Sequence, residues 1–166
     1  MASQPMRIGT RGSPLALWQA RHFASVARAA IPALAEDGAL EEHIIATSGD
    51  KVQDKRLADI GGKGLFAKEI HEALADRRID VAVHSLKDLE TELPPGIVLA
   101  SVLEREDPRD ALILGAGCGA ATADDPLAVL PQGALVGTAS VRRQAQLLHS
   151  RPDLRVDIIR GNVQTR

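Results

Sequence analysis

Aromatic side chains and cysteines are scarce in this sequence of 166 residues. Trp18, Phe23 and Phe66 are the only aromatic residues, and Cys118 is the only cysteine. Few aromatic surfaces are present on which single-stranded nucleic acid would stack, and a lone cysteine without an internal disulfide is typical of the reducing cytoplasm. No apolar run approaches the roughly 18 residues of a membrane span, and residues 1–11 lack the apolar centre of a signal peptide. We therefore expect a cytoplasmic protein that does not bind membranes and whose core consists of Ala, Leu, Ile and Val.

The charge is nearly balanced overall but unevenly distributed along the chain. The formal net charge is −2, which argues against a polyanionic partner such as nucleic acid. Residues 126–166 nevertheless carry six arginines against two aspartates, whereas residues 1–125 carry 14 basic and 20 acidic groups. Arginine supplies 15 of the 20 basic residues, and its guanidinium binds carboxylates and phosphates in a bidentate manner. This distribution predicts a local site for a small anion.

Strand and helix patterns alternate along the chain. Short apolar runs predict strands, and longer segments with apolar residues at helical spacing predict helices. The predicted strands are residues 7–10, 42–47, 80–84, 97–102, 111–114, 135–137 and 156–159, and the predicted helices are residues 15–30, 65–78 and 141–149. The alternation predicts an α/β fold with mostly parallel sheets.

Two polar segments interrupt this pattern. Residues 48–64 are polar and end in glycines, which predicts a mobile loop. Residues 104–109 are charged and contain Pro108, which is typical of a hinge between domains. We therefore expect a first α/β domain at 1–103 and a second one at 110–166.

Four polar clusters directly follow predicted strands: residues 10–13 (TRGS), 84–88 (HSLKD), 138–143 (TASVRR) and 160–166 (RGNVQTR). Ligands of open α/β sheets bind beyond the carboxyl ends of parallel strands. We therefore expect one cleft with a single main acidic group, Asp88, and a cationic lining of Arg11, Lys87, Arg142, Arg143, Arg160 and Arg166. An ionised carboxylate in such a cleft accepts N–H hydrogen bonds or stabilises a cation that forms during a reaction.

Two of these clusters begin helices. Ser13 and Ser140 are good N-caps, and the free N–H groups and positive dipole end of a first helical turn favour an anion. The alternative interpretation is a capped helix with solvent-facing arginines, just as Lys87–Asp88 fits a plain surface turn. Lys63 in the segment GGKG is a candidate anion contact from the loop, although the neighbouring residues do not form a P-loop. The spacing of histidine and cysteine predicts no metal site.

Six segments together resemble the porphobilinogen deaminase (hydroxymethylbilane synthase) family of porphyrin and heme biosynthesis. They are RIGTRGSPLALWQA, GGKGLFAKE, VAVHSLKDL, EREDPRDAL, VGTASVRRQ and RGNVQTR, in the family's order. The combination of HSLKD with GTASVRRQ is highly specific for this family. The resemblance runs from Arg7 to Arg166 and covers about half of a family member.

The resemblance implies two periplasmic-binding-protein-like (type II) domains, of which the second is incomplete here, and a third domain that is absent. It implies a transferase that deaminates four porphobilinogen units and joins them, as a growing oligopyrrole, into a linear tetrapyrrole. Family members carry a dipyrromethane cofactor on a cysteine of the third domain, outside this chain, and are usually monomeric. By itself this chain is therefore expected to be inactive, and the open edges of an unfinished sheet are expected to promote self-association.

The resemblance also implies roles for individual residues. Asp88 is implied as the catalytic carboxylate, which binds pyrrole N–H groups and stabilises the azafulvene cation. The implied ligands of substrate carboxylates are Arg11, Ser13, Arg160 and Arg166. The implied ligands of the cofactor are Lys87, Ser140, Arg142, Arg143, Thr138 and Ser85.

A second hypothesis remains open at this point: a non-catalytic module of the periplasmic-binding type that binds a small anion. It has the same fold and the same cationic cleft as the enzyme. Asp88 discriminates between the two, because a pure anion receptor gains nothing from a carboxylate in its site.

Overall fold

The chain forms two compact units, Met1–Leu103 and Glu104–Arg166. The structure is a computed structural model that describes residues 4–51, 64–122, 124–159 and 161–166. Lys63, Arg160 and most of the predicted loop at 48–64 lie outside the described residues. The assignment of residues 104–109 as a hinge stays a prediction.

A parallel sheet of three strands forms the centre of the first unit. Strand β1 (Met6–Thr10) lies between β2 (Leu40–Ile44) and β3 (Val81–Ala82), so the order is β2-β1-β3. The register pairs Thr10 with Ile44 and Gly9 with Ala82. All three strands therefore end at the same edge of the sheet. The sequence predicts the second strand at 42–47, and the structure has it slightly earlier in the chain.

Helices cover both faces of this sheet. Helix α1 (Pro14–Ala30) buries Ala20 and Ala24 against Ile8, whereas helix α3 (Lys68–Ala75) buries Ile70 and Ala73 with Ile79. Neighbouring residues of β3 contribute to different clusters, Val81 to the first and Ala82 to the second, because successive side chains of a strand point to opposite faces. The small alanines allow close approach of helix and sheet, as expected for a core with few aromatics.

The ends of the helices follow from local sequence. Ser13 caps α1 by accepting a hydrogen bond from the Ala16 N–H at 3.3 Å, and Pro14 occupies the first helical position. Helix α3 is shorter at both ends than the predicted 65–78. It stops because Arg77 adopts a left-handed conformation with φ of 56°, so the N–H groups of Arg78 and Ile79 turn back to the carbonyl oxygen of Ala73. A four-residue helix, α2 (Ser48–Lys51), lies where the sequence predicts a loop.

The second unit contains one parallel pair of strands. Strands β4 (Leu135–Gly137) and β5 (Arg155–Asp157) are joined through helix α4 (Val141–Ser150), as the sequence predicts, although the prediction for β5 is 156–159. Arg151 and Asp153 close the turn after α4, where Asp153 also accepts a hydrogen bond from the Gly133 N–H at 2.9 Å.

The predicted strands at 97–102 and 111–114 are wrong for the described structure. Neither segment pairs with another strand among the described residues. Several of their apolar side chains are open to solvent, with Val98 78% and Ile113 85% exposed. An apolar run predicts burial, but a strand exists only where a second strand satisfies its backbone hydrogen bonds.

The architecture is thus mixed α/β with parallel sheets, which confirms the predicted class at that level. Within the described residues, no helix combines the length and the apolar character needed to span a membrane.

Candidate functional site

Polar side chains of the first unit meet beyond the carboxyl ends of its three strands. Arg11 follows β1, Thr47 and Asp50 follow β2, and Asp88 follows β3. Because the strands are parallel and in register, these segments are brought to one edge of the sheet. Asp88 lies in the 3₁₀ turn Leu86–Asp88, which fixes the backbone of the predicted polar turn.

The guanidinium group of Arg11 is the centre of this cluster. It donates to both carboxylate oxygens of Asp50, from Nε at 3.2 Å and from Nη2, and its Nη1 donates to Asp88 Oδ2 at 3.3 Å. The Phe66 ring lies beneath it, with 4.1 Å from Arg11 Cζ to the ring centroid. The side chains of Arg11 and Asp88 are only 17% and 18% exposed. Partial burial strengthens these charge interactions relative to water.

Asp50 is held in place by Thr47, which is itself fully buried. The Thr47 hydroxyl donates to Asp50 Oδ2 at 2.7 Å. Burial by itself would raise the pKa of Asp50, but the hydrogen bonds from Arg11 and Thr47 outweigh it and hold that pKa below its usual value. Asp50 is therefore ionised at neutral pH.

The remaining predicted residues of the first unit have different surroundings. The Ser85 hydroxyl donates to Gln19 Oε1 on α1 at 3.0 Å, and Ser13 serves as the cap of α1. Lys87 is exposed to solvent. His84 Nε2 donates to the carbonyl oxygen of Phe66 at 3.0 Å, and burial lowers the pKa of this ring despite that bond and the nearby charge of Asp88. His84 is therefore a neutral neighbour of the Arg11 cluster at pH 7.

A second group of predicted residues lies at the start of α4, in the second unit. The Ser140 hydroxyl accepts from the Arg143 N–H at 3.4 Å and caps the helix, as predicted. Thr138 is buried and accepts from the Ser140 N–H at 3.2 Å, which orients the cap. Arg142 and Arg143 both donate to the carboxylate of Asp110, at 2.8 to 3.0 Å. These hydrogen bonds lower the pKa of Asp110 to about 2.

The expectation that Asp88 is the main acidic group opposing the arginines is wrong. Asp50 pairs with Arg11, and Asp110 pairs with both Arg142 and Arg143. Each of these aspartates lies in or beside a segment whose composition indicates a loop or a hinge. A guanidinium group that loses part of its hydration has to find a carboxylate or another acceptor, and the fold supplies one in each unit.

Four residues that the sequence singles out remain: Arg166, Cys118, Lys63 and Arg160. Arg166 is exposed, and its backbone N–H donates to the Asn162 carbonyl oxygen at 3.1 Å. Cys118 is a free thiol in the second unit. Lys63 and Arg160 lie outside the described residues. Across the described ranges, no group of three or more His, Cys, Asp or Glu side chains is arranged to hold a metal ion.

Sequence reasoning missed Thr47, Asp50, Phe66 and Asp110. A signal for the first two is present, because the segment TSGD at 47–50 follows a predicted strand just as the four polar clusters do. Its polar composition equally fits the beginning of a loop. Phe66 and Asp110 carry no local signal, since their partners Arg11 and Arg142 lie far away in the chain.

Comparison with known proteins decides the family. A family model described as "Porphobilinogen deaminase, dipyromethane cofactor binding domain" matches residues 6–166. The chain belongs to the porphobilinogen deaminase family. The resemblance found from the motifs is thereby confirmed.

Relatives from bacteria and a plant agree with this family. The chain is 55% identical over 161 residues to porphobilinogen deaminase of Syntrophomonas wolfei, covering 97% of the chain and 49% of that protein. It is 55% identical over 169 residues to porphobilinogen deaminase of Caulobacter sp. strain K31, covering 100% and 51%. It is 56% identical over 161 residues to the chloroplastic porphobilinogen deaminase of Oryza sativa, covering 97% and 43%. The chain thus spans about half the length of the curated relatives it matches.

Proposed function

We propose that the protein acts as a hydroxymethylbilane synthase, a transferase that joins porphobilinogen units after loss of ammonia. The observation that carries this proposal is the contact between Arg11 and Asp88 at the carboxyl edge of the first sheet. The family of the chain supports the same reaction. We also propose that the two units belong to periplasmic-binding-protein-like domains, which the parallel order β2-β1-β3 and the parallel pair β4-β5 support.

The charge of the Arg11 cluster suits a cationic intermediate. One guanidinium group lies between the carboxylates of Asp50 and Asp88, so these three side chains together carry a formal charge of −1. When the protonated amino group on the aminomethyl side chain of porphobilinogen leaves as ammonia, the C–N bond breaks and the positive charge remains on the pyrrole methylene. A fixed carboxylate in a partly buried site lowers the energy of such a cation and accepts the pyrrole N–H. We assign this role to Asp88.

The second unit has residues that fit a dipyrromethane, whose side chains are acetates and propionates. Arg142 and Arg143 already hold one carboxylate, that of Asp110, with donor distances of 2.8 to 3.0 Å. The Asp110 carboxylate thus demonstrates the geometry that these arginines offer to an acid. We propose that Arg142, Arg143, Ser140 and Thr138 of the second unit are cofactor ligands. Lys87 and Ser85 of the first unit are proposed as cofactor ligands from the family resemblance alone. When bound, the cofactor supplies the nucleophilic pyrrole carbon to which the first porphobilinogen unit is joined.

The substrate ligands proposed for the remaining carboxylates are Arg11, Ser13, Arg160 and Arg166. Each porphobilinogen unit adds an acetate and a propionate, so the growing oligopyrrole needs a rising number of cations. Arginine fits this requirement because its planar fork matches a carboxylate.

Substitution of Asp88 tests the proposed function. A protein of the family's full length that contains this chain should consume porphobilinogen and release hydroxymethylbilane. Its Asp88→Asn variant should lose turnover by at least about a hundredfold, because the cation loses its counter-charge. The matched control is Asp76→Asn, since Asp76 is an exposed partner of Arg78 in the same unit; its turnover should equal that of the wild type.

The anion receptor is the alternative outcome of the same experiment. Calorimetry would then show that the wild type binds porphobilinogen without consuming it. The Asp88→Ala variant would bind at least as tightly, because removal of a negative charge favours an anionic ligand. That combination would overturn the proposed enzymatic function.

A further inference from the structure

Asp50 is an acidic side chain near Asp88 that accepts several hydrogen bonds. Its two oxygens accept hydrogen bonds from Arg11 Nε and Nη2, and Oδ2 also accepts one from the Thr47 hydroxyl at 2.7 Å. The Thr47 N–H points to the same oxygen at 3.4 Å. This carboxylate is therefore oriented from both sides.

The Arg11 guanidinium connects the oriented Asp50 carboxylate to Asp88. A guanidinium group is planar and rigid, with five N–H donors in fixed directions. Two of those donors are committed to Asp50, so the plane of the group is set by Asp50 and by the Phe66 ring below it. A third donor, on Nη1, then meets Asp88 Oδ2 at 3.3 Å. The direction of this contact depends on Asp50, because Asp50 fixes the plane from which Nη1 donates.

We propose that Asp50 is a positioning residue, which holds Arg11 against Asp88 for the reaction proposed above and so rests on that proposed function. Asp50 touches neither substrate nor cofactor in this role. It acts through Arg11, and Thr47 acts through Asp50. Arg11 then has a structural role in addition to the role of substrate ligand that the family resemblance implies.

The charge pattern supports positioning over direct binding of substrate. Asp50 is ionised, and a second fixed negative charge repels the acetate and propionate groups of porphobilinogen. A carboxylate in this place is instead suited to hold a cation in position. The Arg11 guanidinium, which both of its oxygens contact, is such a cation.

Steady-state kinetics and NMR of the cofactor-loaded protein test the proposal. The variants are Asp50→Asn, which keeps the shape but removes the charge, and Thr47→Val, which removes only the hydroxyl. For Asp50→Asn we expect kcat to fall by about ten- to a hundredfold, as for other misplaced catalytic groups, with a smaller rise in KM for porphobilinogen because Arg11 is also a proposed substrate ligand. In ¹H–¹⁵N spectra the protected Nε–H signal of Arg11, assigned by its loss in Arg11→Lys, should exchange with water and disappear.

Matched variants separate positioning from general damage. Thr47→Ser retains the hydroxyl, so kcat and the intensity of the Arg11 Nε–H signal should stay at the wild-type level. Thr47→Val lacks the hydroxyl, so both kcat and the intensity of that signal should fall in part. The double variant Asp50→Asn with Thr47→Val should be no slower than Asp50→Asn alone, because both act through one connection. Asp76→Asn, which alters an exposed ion-pair aspartate of the same unit, should match the wild type in every measurement.

Three results would overturn the proposal. The first is an unchanged kcat in Asp50→Asn, and the second is an increase in KM without a fall in kcat, which would mean that Asp50 affects only substrate binding. The third is a normal Arg11 Nε–H signal in Asp50→Asn. If Asp50→Asn does not fold, a normal Arg11 signal together with a normal kcat in Thr47→Val would overturn the proposal instead. Absence of turnover in the wild type would instead refute the proposed function, while the NMR signal would still show whether Asp50 holds Arg11.

Discussion

At the scale of single residues, the Arg11 cluster depends on the absence of a side chain at position 49. A Cβ atom on Gly49 would lie 2.3 Å from Phe66 Cε1, a distance that real contacts do not reach. The Gly49 N–H also donates to the carbonyl oxygen of Leu65 at 2.7 Å. The glycine thus lets the segment after β2 approach the segment before α3, and this brings the Phe66 ring beneath Arg11.

We therefore expect Gly49→Ala to force the Phe66 ring out of place. Overpacking of this kind costs about 1–3 kcal/mol of unfolding free energy, which urea titration followed by circular dichroism measures. The control is the same substitution in a Phe66→Leu background, where a smaller side chain can accommodate the new methyl group and the cost should shrink. An equal cost in both backgrounds would show that Phe66 is not the obstacle.

At the scale of secondary-structure elements, an ion pair ties β1 to the segment that leads into β3. Asp80, directly before β3, accepts hydrogen bonds from the Arg7 N–H at 2.8 Å, from Nε at 3.0 Å and from Nη2 at 2.8 Å. Arg7 lies on β1. These hydrogen bonds lower the pKa of Asp80 from its usual 3.8 to about 2.

This shift predicts a pH dependence of stability. Since the pKa of Asp80 is lower in the folded state, its contribution is complete above about pH 4 and disappears as the pH falls from 3.8 towards 2. The Asp80→Asn variant should therefore be less stable than the wild type at pH 6, and the difference should vanish near pH 2. Because the Asp80 side chain is 42% exposed, solvent screening keeps the effect small.

Thermal unfolding at a series of pH values measures this difference. Asp76→Asn is the matched control, since the Asp76 side chain forms an exposed contact with Arg78 at 3.4 Å, and it should leave the pH profile unchanged. A constant difference between Asp80→Asn and the wild type across the whole range would contradict the ionic origin of the effect.

At the scale of the whole molecule, residues 97–114 present large apolar side chains to solvent. Val98 is 78% exposed, Val102 is 71% exposed and Ile113 is 85% exposed. These residues belong to the two segments that the sequence predicts as strands and that have no strand partner among the described residues. Extended apolar segments without a pairing strand are prone to pair with other chains.

We expect the 166-residue chain to self-associate through these segments. Sizing chromatography with light scattering should give a mass that rises with protein concentration, and Val98→Lys with Ile113→Lys should return the mass towards that of a single chain. Val26→Lys on α1, where the valine is 42% exposed, should have no such effect. A constant monomer mass for the wild type would refute this expectation.

The sequence alone is sufficient for the elements whose signals are local. Ser13 with Pro14 marks the start of α1, Ser140 marks the start of α4, and β1 and β4 lie where short apolar runs predict them. Capping and periodicity act within a few residues, so they can be recognised without knowledge of the rest of the chain. The motifs around Asp88 and Ser140 are likewise continuous stretches of sequence, and they are sufficient to identify the family.

Only the tertiary structure decided the partners of the charged groups. Arg11 and Asp50 are 39 residues apart, and Arg11 and Asp88 are 77 apart, yet parallel pairing of three strands brings them into contact. Asp110 likewise lies far from its partner in the chain, 32 residues before Arg142. The sequence determines the charge of each side chain. The counter-ion of that side chain depends on which strand ends lie together, and backbone hydrogen bonds between distant segments decide this.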